Sequence, residues 1–297
     1  MSASLLVRRG ALGDTVLVEP LLRAMRAHRP DAALHVAGQL EHVELLELYG
    51  VADHAFSIED LMLWARSSPA RAAPVRERLD GYEWIVADQP LGASVTAKVT
   101  AVDPQLDGET RIPAAAALLE RLRRAVHELP AVDPVPRLRP ARLDAVAPAE
   151  VWLHPGSGGE RKCWPLARFL AVAAALAGAG TRVVLVLGPV ESERRGVADA
   201  ALPAGVDLVR GLALPELCRG LERAACFVGN DAGVTHLAAA LAVPTVAVFG
   251  PTRADVWAPQ GPHVRVVGRP TEGPPDASVD EVLAAVEELV PGPLRGG

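Results

Sequence analysis

The sequence predicts an α/β protein with two Rossmann-like, doubly wound domains, each a parallel sheet with helices on both faces. The first observation is an alternation of short β-branched runs with stretches of helical period, which is typical of parallel sheets. The second is a proline-rich segment of weak periodicity, residues 128–150, which has the composition of a linker. We therefore predict one domain over residues 1–145 and a second over residues 146–297.

The first domain is predicted to open with the strand SLLVRR, followed by a helix in TVLVEPLLRAMRAHRP that begins at Thr15. The segments ALHVAG and EWIVAD are the next predicted strands. The order strand, helix, strand favours parallel pairing. Apolar residues of the helix recur at helical spacing, namely Val18, Leu21, Leu22 and Met25.

The same alternation restarts after the proline-rich segment. Strands are predicted in VWLHPG, TRVVLVLG, VDLVRG, CFVGN and PTVAVFG. Helices are predicted in PLARFLAVAAALAGAG, ALPELCRGLERA and GVTHLAAAL, and near residues 191–201. This second series predicts a second doubly wound sheet.

Four polar or glycine-containing segments follow predicted strands. In doubly wound sheets, ligands bind beyond the carboxyl ends of the strands, where loops lead into helices. We therefore predict that the functional residues lie in these segments. They are GALGD (10–14), HPGSGGERKCWP (154–165), GPVESER (188–194) and GNDAGVTH (229–236).

The segment HPGSGGERKCWP has the composition of an anion site, and a diphosphate is the predicted ligand. Its glycines allow a ligand to approach the backbone, and Pro165 suits the first turn of the next helix. Backbone donors, Arg161 and Lys162 supply positive charge. The alternative is a flexible loop with two solvated cations. Neither a Walker motif nor GxGxxG occurs here, which weakens the P-loop and standard dinucleotide interpretations. The glycines are Gly156, Gly158 and Gly159.

The segment GNDAGVTH predicts a second site for anions and hydroxyl groups. Asp231 ends a predicted strand, and Gly233 permits a tight turn. Thr235 and His236 follow in the first helical turn, where backbone N–H groups are free. The alternative is that Asn230 or Asp231 caps the helix and that His236 is a surface residue. Several such residues at one strand end favour ligand binding.

Asp14 in GALGD has two interpretations. It caps the helix predicted to begin at Thr15, a role that Asp often has. If the two domains face each other, its carboxylate instead lies opposite the phosphate site and accepts a proton. The sequence leaves both interpretations open.

Composition excludes several classes of protein. The chain has a formal net charge of −6 and a pI near 5.8, which argues against nucleic-acid binding. We find neither an apolar signal-peptide core nor an uncharged run of membrane-spanning length. Cys163, Cys218 and Cys226 show no paired or metal-ligand spacing, which suits a reducing compartment. A cytoplasmic protein is therefore predicted.

Three segments together resemble glycosyltransferase family nine, the ADP-heptose:lipopolysaccharide heptosyltransferase group. They are GALGDTVLVEPLLRAMR, HPGSGGERKCWP and GNDAGVTHLAAALAVPTVAVFGPT, and the similarity extends in consistent order from about residue 4 to about residue 258. The resemblance implies a GT-B fold, in which two Rossmann-like domains face a cleft, the first holding the acceptor and the second the ADP-sugar. It also implies inversion of the anomeric configuration, no metal held by an Asp-x-Asp motif, and no cofactor besides the donor substrate.

The resemblance also implies roles for individual residues. Asp14 matches the family's general base, which deprotonates the acceptor hydroxyl. Lys162 matches the lysine that steadies the leaving diphosphate, and Ser157 and Gly158 lie in the same loop. The residues that match the nucleotide-sugar site are Asp231, Ala232, Gly233 and His236.

Two features of the implied donor site depart from the family or stay open. The family commonly has Thr at the position of Ala232, so any contact through that hydroxyl is lost in this chain. Glu191 or Glu193 matches the acidic residue that binds the adenosine ribose, and the resemblance does not choose between them.

The implied function is transfer of a heptose-type sugar from an ADP-sugar to a glycolipid or saccharide hydroxyl, in lipopolysaccharide core or related cell-surface glycan synthesis. Arg66 and Arg71 are candidates for binding an acidic glycolipid at the inner membrane surface. The alternative for such a charge run is a solvated helix face. Two other functions stay open: a GT-B transferase or epimerase that uses a UDP- or GDP-sugar, and a noncatalytic sugar-nucleotide-binding protein.

Overall fold

The computed structural model describes residues 2–59, 69–88, 91, 96–138, 150–188 and 201–291. The chain forms two compact units, Met1–Leu138 and Arg139–Gly297. The predicted boundary between residues 145 and 146 lies outside the described residues.

The first unit is a parallel sheet with the strand order β3-β2-β1-β4-β5. Its strands are β1 (Ala3–Val7), β2 (Ala33–Gly38), β3 (His54–Ser57), β4 (Trp84–Ala87) and β5 (Lys98–Ala101). Its described helices are α1 (Leu12–Leu17), α2 (Glu19–His28), α3 (Leu40–Leu48), α4 (Pro69–Asp80) and α5 (Ala114–Ala125).

The first sheet has its switch point between β1 and β4. The chain moves outward from β1 to β3 and then returns to the other side of β1. Leu6 of β1 is level with Val36 of β2 and Val86 of β4, and these residues are almost fully buried. Such apolar central strands are typical of a parallel sheet covered on both faces. The carboxyl ends of β1 and β4 are therefore where a doubly wound sheet binds ligands.

The second unit is a larger parallel sheet with the order β11-β10-β9-β6-β7-β8. Its strands are β6 (Glu150–His154), β7 (Arg182–Leu187), β8 (Val206–Arg210), β9 (Ala224–Asn230), β10 (Thr245–Val248) and β11 (Val264–Val267). Its described helices are α6 (Leu166–Gly178), α7 (Leu214–Leu221), α8 (Gly233–Ala240), α9 (Ala254–Trp257) and α10 (Val279–Leu289), with a 3-10 turn at Glu160–Lys162.

The second sheet repeats the topology of the first, and its switch point lies between β6 and β9. Phe169 of α6 and Val282 of α10 are fully buried in one core with Val151, Val183 and Val228 of the strands. The predicted fold class, two Rossmann-like units of parallel sheet, is confirmed by this architecture.

The helix predicted to begin at Thr15 consists of two helices. α1 begins earlier, at Leu12, and α2 begins at Glu19. The break lies at Val18, because Pro20 has no N–H to donate to a carbonyl one turn back. The apolar residues predicted to recur at helical spacing are all buried.

The described part of the proline-rich segment packs on the first unit. The buried Glu19 carboxylate accepts a hydrogen bond from the Arg137 N–H at 2.9 Å. Arg23 pairs with Glu19 at 2.8 Å and donates to two carbonyl oxygens of the segment at 2.9 and 3.0 Å. The boundary between the two units, at Leu138 and Arg139, falls inside the predicted linker, and side chains of the first unit hold residues of its first part.

Three strands that the sequence analysis did not identify lie at sheet edges. β3, β5 and β11 have four residues each and are only partly buried. So short a run on an exposed edge carries little apolar periodicity.

The helix predicted near residues 191–201 and the rest of the proline-rich segment lie mostly outside the described residues. Within the described part of the chain, no helix is both long and apolar enough to cross a membrane.

Candidate functional site

In the second unit, two of the predicted ligand segments meet at the switch point. β6 leads into residues 155–165, and its neighbour β9 ends at Asn230. His154 at the end of β6 is level with Gly229 of β9. The adjacency of β6 and β9 therefore brings the predicted diphosphate loop beside the predicted nucleotide-sugar residues.

Lys162 and Asp231 form an ion pair, with 2.7 Å between Nζ and Oδ2. The Asp231 side chain is 10% exposed, whereas that of Lys162 is 40% exposed. A mostly buried carboxylate thus orients an ammonium group that still reaches solvent. Because an ammonium has three N–H donors, this pair leaves donors for an anionic ligand.

Ser157 and Gly158 have different surroundings in the loop. Ser157 is buried, and its Oγ donates to the Asp231 carbonyl oxygen at 2.7 Å. This bond ties the loop to the end of β9. A Cβ placed on Gly158 would meet no described atom within 4 Å. Direct contact of either residue with a ligand stays a prediction.

Arg161, which was predicted to share the anion site with Lys162, donates to the Glu272 carbonyl oxygen. One expectation for this loop was wrong in detail. Pro165 is the N-cap of α6 and lies just before its first turn. Lys162 is therefore the cation of this loop best placed to meet an anion.

The turn into α8 uses backbone groups that we expected to be free. Ala232 is the N-cap, and α8 begins at Gly233. The N–H groups of Thr235 and His236 both donate to the Ala232 carbonyl oxygen, at 3.0 and 3.3 Å. The expectation was wrong because the N-cap carbonyl already accepts the first bonds of a helix.

The alternative interpretations of this turn are wrong as well. His236 is 7% exposed, so it is not a surface residue. The N-cap is neither Asn230 nor Asp231. The Thr235 hydroxyl is fully buried and donates to the Asn230 carbonyl oxygen at 2.5 Å. Nucleotide-sugar binding by Ala232, Gly233 and His236 stays a prediction.

Some predicted site residues cannot be placed. Glu191, Glu193 and Arg66 lie outside the described residues. Arg71 belongs to α4, but its side chain is also outside the described part. Among the described residues, no group of three or more His, Cys, Asp or Glu side chains could hold a metal ion.

In the first unit, Asp14 lies at the carboxyl end of β1, inside the first turn of α1. Its Oδ2 accepts a hydrogen bond from the Ala11 N–H at 3.0 Å, and its Oδ1 accepts one from Arg8 at 2.7 Å. Asp14 is thus not the N-cap of a helix beginning at Thr15, although its carboxylate does help to cap α1 by accepting the N–H of the N-cap residue Ala11. Two donors orient a carboxylate that is 35% exposed.

Gly10 makes room for this carboxylate. Its φ is +147°, a conformation that favours glycine. A Cβ at this position would lie 2.5 Å from the Asp14 Cβ and 2.7 Å from its Oδ2. The first glycine of GALGD, Gly10, is therefore required by Asp14 itself.

Arg8 joins Asp14 to a second, buried carboxylate. Its guanidinium lies 3.5 Å from Asp88 Oδ2, and the side chains of Arg8 and Asp88 are 9% and 6% exposed. Asp88 also accepts a hydrogen bond from the Arg9 N–H at 2.7 Å. One guanidinium is thus shared between two carboxylates at the first switch point.

His42 of α3 lies close to Asp14 and to the Gly10 backbone. Burial lowers the pKa of its imidazole, although a hydrogen bond to the Gly10 backbone and the charges of Glu41 and Asp14 act in the opposite direction. Burial therefore favours the neutral form of the His42 imidazole.

Sequence reasoning missed Arg8, Asp88 and His42. Val7 and Ala87 are level in β1 and β4, so Arg8 and Asp88 directly follow paired strand ends. Charged residues directly after two apolar strands were the available signal, but using it required knowing that these strands are neighbours.

Comparisons with known proteins point to one family. A family model described as Glycosyltransferase family 9 (heptosyltransferase) matches residues 131–284. The chain is 31% identical over 153 residues to lipopolysaccharide heptosyltransferase 3 of Escherichia coli, which covers 46% of this chain and 45% of that protein. It is 40% identical over 113 residues to lipopolysaccharide heptosyltransferase 1 of Pseudomonas aeruginosa, covering 38% and 31%. The chain thus spans less than half the length of these relatives.

Solved structures are similar over almost the whole chain. ADP-heptose lps heptosyltransferase II of E. coli has a TM-score of 0.75 at 19% identity and covers 97% of this chain and 98% of its own. A family 9 glycosyltransferase from Veillonella parvula has a TM-score of 0.76 at 17% identity, covering 97% of each chain. At such identities the likeness concerns the fold, and it confirms the predicted GT-B class. Because the family match extends over more than half of its residues, this chain belongs to glycosyltransferase family 9.

Proposed function

We propose that this chain transfers a heptose-type sugar from an ADP-sugar to a hydroxyl group of a glycolipid or saccharide, with inversion at the anomeric carbon. The proposed product belongs to lipopolysaccharide core or a related cell-surface glycan, made in the cytoplasm at the inner membrane surface. The observation that carries the proposal is the Lys162–Asp231 ion pair at a switch point of a family 9 chain. The proposal includes no metal and no cofactor besides the donor substrate.

Lys162 is proposed to stabilise the leaving diphosphate. In glycosyl transfer, the bond from the anomeric carbon to the diphosphate breaks through an oxocarbenium-like state, and negative charge grows on the leaving group. A cation that is already oriented stabilises this charge well, because it needs no reorganisation during the reaction. The buried Asp231 carboxylate orients Lys162 in this way at 2.7 Å.

Asp14 is proposed to remove the proton of the acceptor hydroxyl as its oxygen attacks the anomeric carbon. Bonds from Ala11 and Arg8 fix the direction of the carboxylate. An ionised carboxylate has about four lone-pair sites. Two accepted bonds therefore leave sites for an acceptor, and the 35% exposure of the side chain gives access to them.

The choice of an ADP-sugar is supported by a structural relative. An E. coli heptosyltransferase solved with ADP has a TM-score of 0.72 to this chain at 18% identity and covers 97% of it. The shared fold supports an equivalent nucleotide site in the second unit, where Lys162 and Asp231 meet.

A nucleotide-sugar epimerase is the second candidate. UDP-GlcNAc 2-epimerase from Methanocaldococcus jannaschii covers the whole of this chain, with a TM-score of 0.52 at 10% identity. The likeness is weaker than that to the heptosyltransferases. The identity of the nucleotide base separates the two candidates, because this enzyme acts on a UDP-sugar.

Calorimetric titration with ADP, UDP, GDP and NAD in parallel tests the donor. We expect ADP alone to bind, and we expect Asp231→Ala to weaken that binding about 10-fold, because Lys162 is then no longer oriented. Asp207→Ala is the matched control, since that carboxylate pairs with Arg182 on an exposed edge of the same sheet. Preference for UDP or GDP would overturn the donor, and binding of none would overturn the whole proposal.

A turnover assay with ADP-heptose and glycolipid acceptors follows selective ADP binding. Transfer of the sugar is the expected result. ADP binding without transfer to any acceptor would instead identify a noncatalytic sugar-nucleotide-binding protein.

A further inference from the structure

The side chain of Asn230 holds both ends of the loop that carries Lys162. Its Nδ2 donates to the carbonyl oxygens of Pro155 at 2.8 Å and Gly156 at 3.3 Å. Its Oδ1 accepts a hydrogen bond from the Trp164 N–H at 2.9 Å. The loop therefore leaves β6 and enters α6 at the same amide group.

The Asn230 amide has the chemistry and burial that such a clamp requires. The start of the loop presents carbonyl oxygens, which need a donor, and its end presents an N–H, which needs an acceptor. A primary amide offers both without a charge. Asn230 is fully buried, so each lost bond would leave a polar group away from water. The loop is therefore held in the arrangement that keeps all of these hydrogen bonds to the Asn230 amide.

Neighbouring bonds connect the same amide to the ion pair. Trp164 is almost fully buried, and its indole Nε1 donates to the Ala277 carbonyl oxygen at 3.0 Å, which makes it a fixed point for the loop. Asp231 follows Asn230 directly in the chain and pairs with Lys162. A shift at Asn230 would therefore move the carboxylate and the loop relative to each other.

We propose that Asn230 is a positioning residue that sets the placement of Lys162 relative to Asp231, and so the readiness of the loop to bind a diphosphate. Asn230 does not touch the substrate, because its amide faces the protein interior. The consequence for the donor rests on the proposed function of Lys162, whereas the effect on the loop does not.

Cys163 makes the loop geometry measurable without any ligand. It is adjacent to Lys162 and partly exposed, whereas Cys218 and Cys226 are buried, and burial raises the pKa of the Cys226 thiol to about 12. A maleimide will therefore label Cys163 first. We expect Asn230→Ala to increase the labelling rate about fivefold or more, because the loop opens more often. Cys163→Ser gives the background from the buried thiols.

Thr245→Val is the matched control. Thr245 is also fully buried in the second unit, and its Oγ1 donates to the Val243 carbonyl oxygen at 2.7 Å, away from the loop. We expect this variant to lower the melting temperature while the labelling rate stays within about twofold of wild type.

A double-mutant cycle tests the consequence for the donor. We expect Asn230→Ala to weaken ADP binding about tenfold in the wild-type background and less than about twofold in the Lys162→Ala background. If Asn230 acts on ADP binding only by placing Lys162, then Asn230→Ala can cause no further loss of affinity once Lys162 has been removed. Equal losses in both backgrounds would overturn the positioning role.

The two experiments separate the inference from the proposed function. If wild-type protein binds no ADP, the proposed function fails, and the labelling rates still decide whether Asn230 holds the loop. Unchanged labelling in Asn230→Ala would overturn the inference whatever ADP does. If that variant does not fold, Asn230→Ser stays uncharged and is too short to reach both ends of the loop, and we expect the same increase in labelling.

Discussion

The two switch points of this chain use polar residues in opposite ways. In the first unit the buried contacts are ionic, with the Arg8 guanidinium between the carboxylates of Asp14 and Asp88. In the second unit the buried contacts are those of a neutral amide, Asn230, and the ion pair lies nearer solvent, with the Lys162 side chain 40% exposed. Removing Arg8 would therefore strand the buried Asp88 carboxylate, whereas removing Asp231 would leave a lysine that still reaches solvent.

The two sites are proposed to act on different groups, the proton of the acceptor hydroxyl in the first unit and the diphosphate of the donor in the second. A carboxylate that accepts a proton needs fixed donors to orient it, and Arg8 and the Ala11 N–H supply them. A lysine that binds a diphosphate must keep donors available, so neutral groups hold its loop. A charged partner thus orients the proposed reactive group at both sites, but in the second unit a neutral amide holds the surrounding loop.

Asp14→Asn should produce the largest change and should separate the two sites completely. The amide keeps an acceptor for Arg8 but cannot take a proton, so we expect turnover to fall about 1,000-fold. ADP affinity should stay within about twofold, because Asp14 belongs to the first unit. Steady-state kinetics and calorimetry measure the two quantities, with exposed Asp31→Asn as control. Near-wild-type turnover would rule out Asp14 as the base.

Arg8→Met should reveal the ionic character of the first switch point. It removes the buried guanidinium from Asp88 and leaves only the more distant Arg9 side chain at 3.8 Å, so we expect the free energy of unfolding to fall by about 2 kcal/mol. Asp231→Ala leaves a lysine that reaches water, so it should cost about 1 kcal/mol or less. Urea denaturation of both variants measures the contrast. Equal losses would mean that the two switch points do not differ in this way.

Lys162→Ala should weaken both binding and catalysis. Loss of a charge-assisted contact to a diphosphate predicts about 10-fold to 100-fold weaker ADP binding, with a further loss in turnover. Lys98→Ala is the matched control, because Lys98 is exposed on β5 of the first unit. An unchanged ADP affinity in Lys162→Ala would exclude this lysine from the diphosphate site.

The smallest expected effect is a pH dependence of stability in the first unit. Burial lowers the pKa of His42, and burial together with the charge of His54 lowers that of His35. Below about pH 6.5 the unfolded chain binds protons that these folded imidazoles do not, so stability falls as the pH drops. Thermal melts at about pH 7.5 and about pH 5.5 should show the loss. His42→Gln should reduce it, and exposed His127→Gln should not.

Local sequence patterns predicted the central strands and the edge strand β8, but missed the other three edge strands. The segment ALHVAG is β2 from its first residue to its last, because central strands are continuous apolar runs bounded by turns. β3, β5 and β11 have four residues each, too few for a period to show. The break between α1 and α2 was readable at Pro20, whereas the start of α1 lacks a side-chain cap and gave no signal.

The alternation of apolar periods was sufficient to assign two parallel sheets and to place the functional segments at the carboxyl ends of strands. Only the tertiary structure showed which side chains meet there. Lys162 pairs with Asp231, the Asn230 amide binds both ends of the loop that carries Lys162, and the Arg8 guanidinium lies beside Asp88. The reason is that periodicity is carried by residues a few positions apart, whereas these contacts join residues between 66 and 80 positions apart. Such contacts exist only because the sheet order places β6 beside β9 and β1 beside β4.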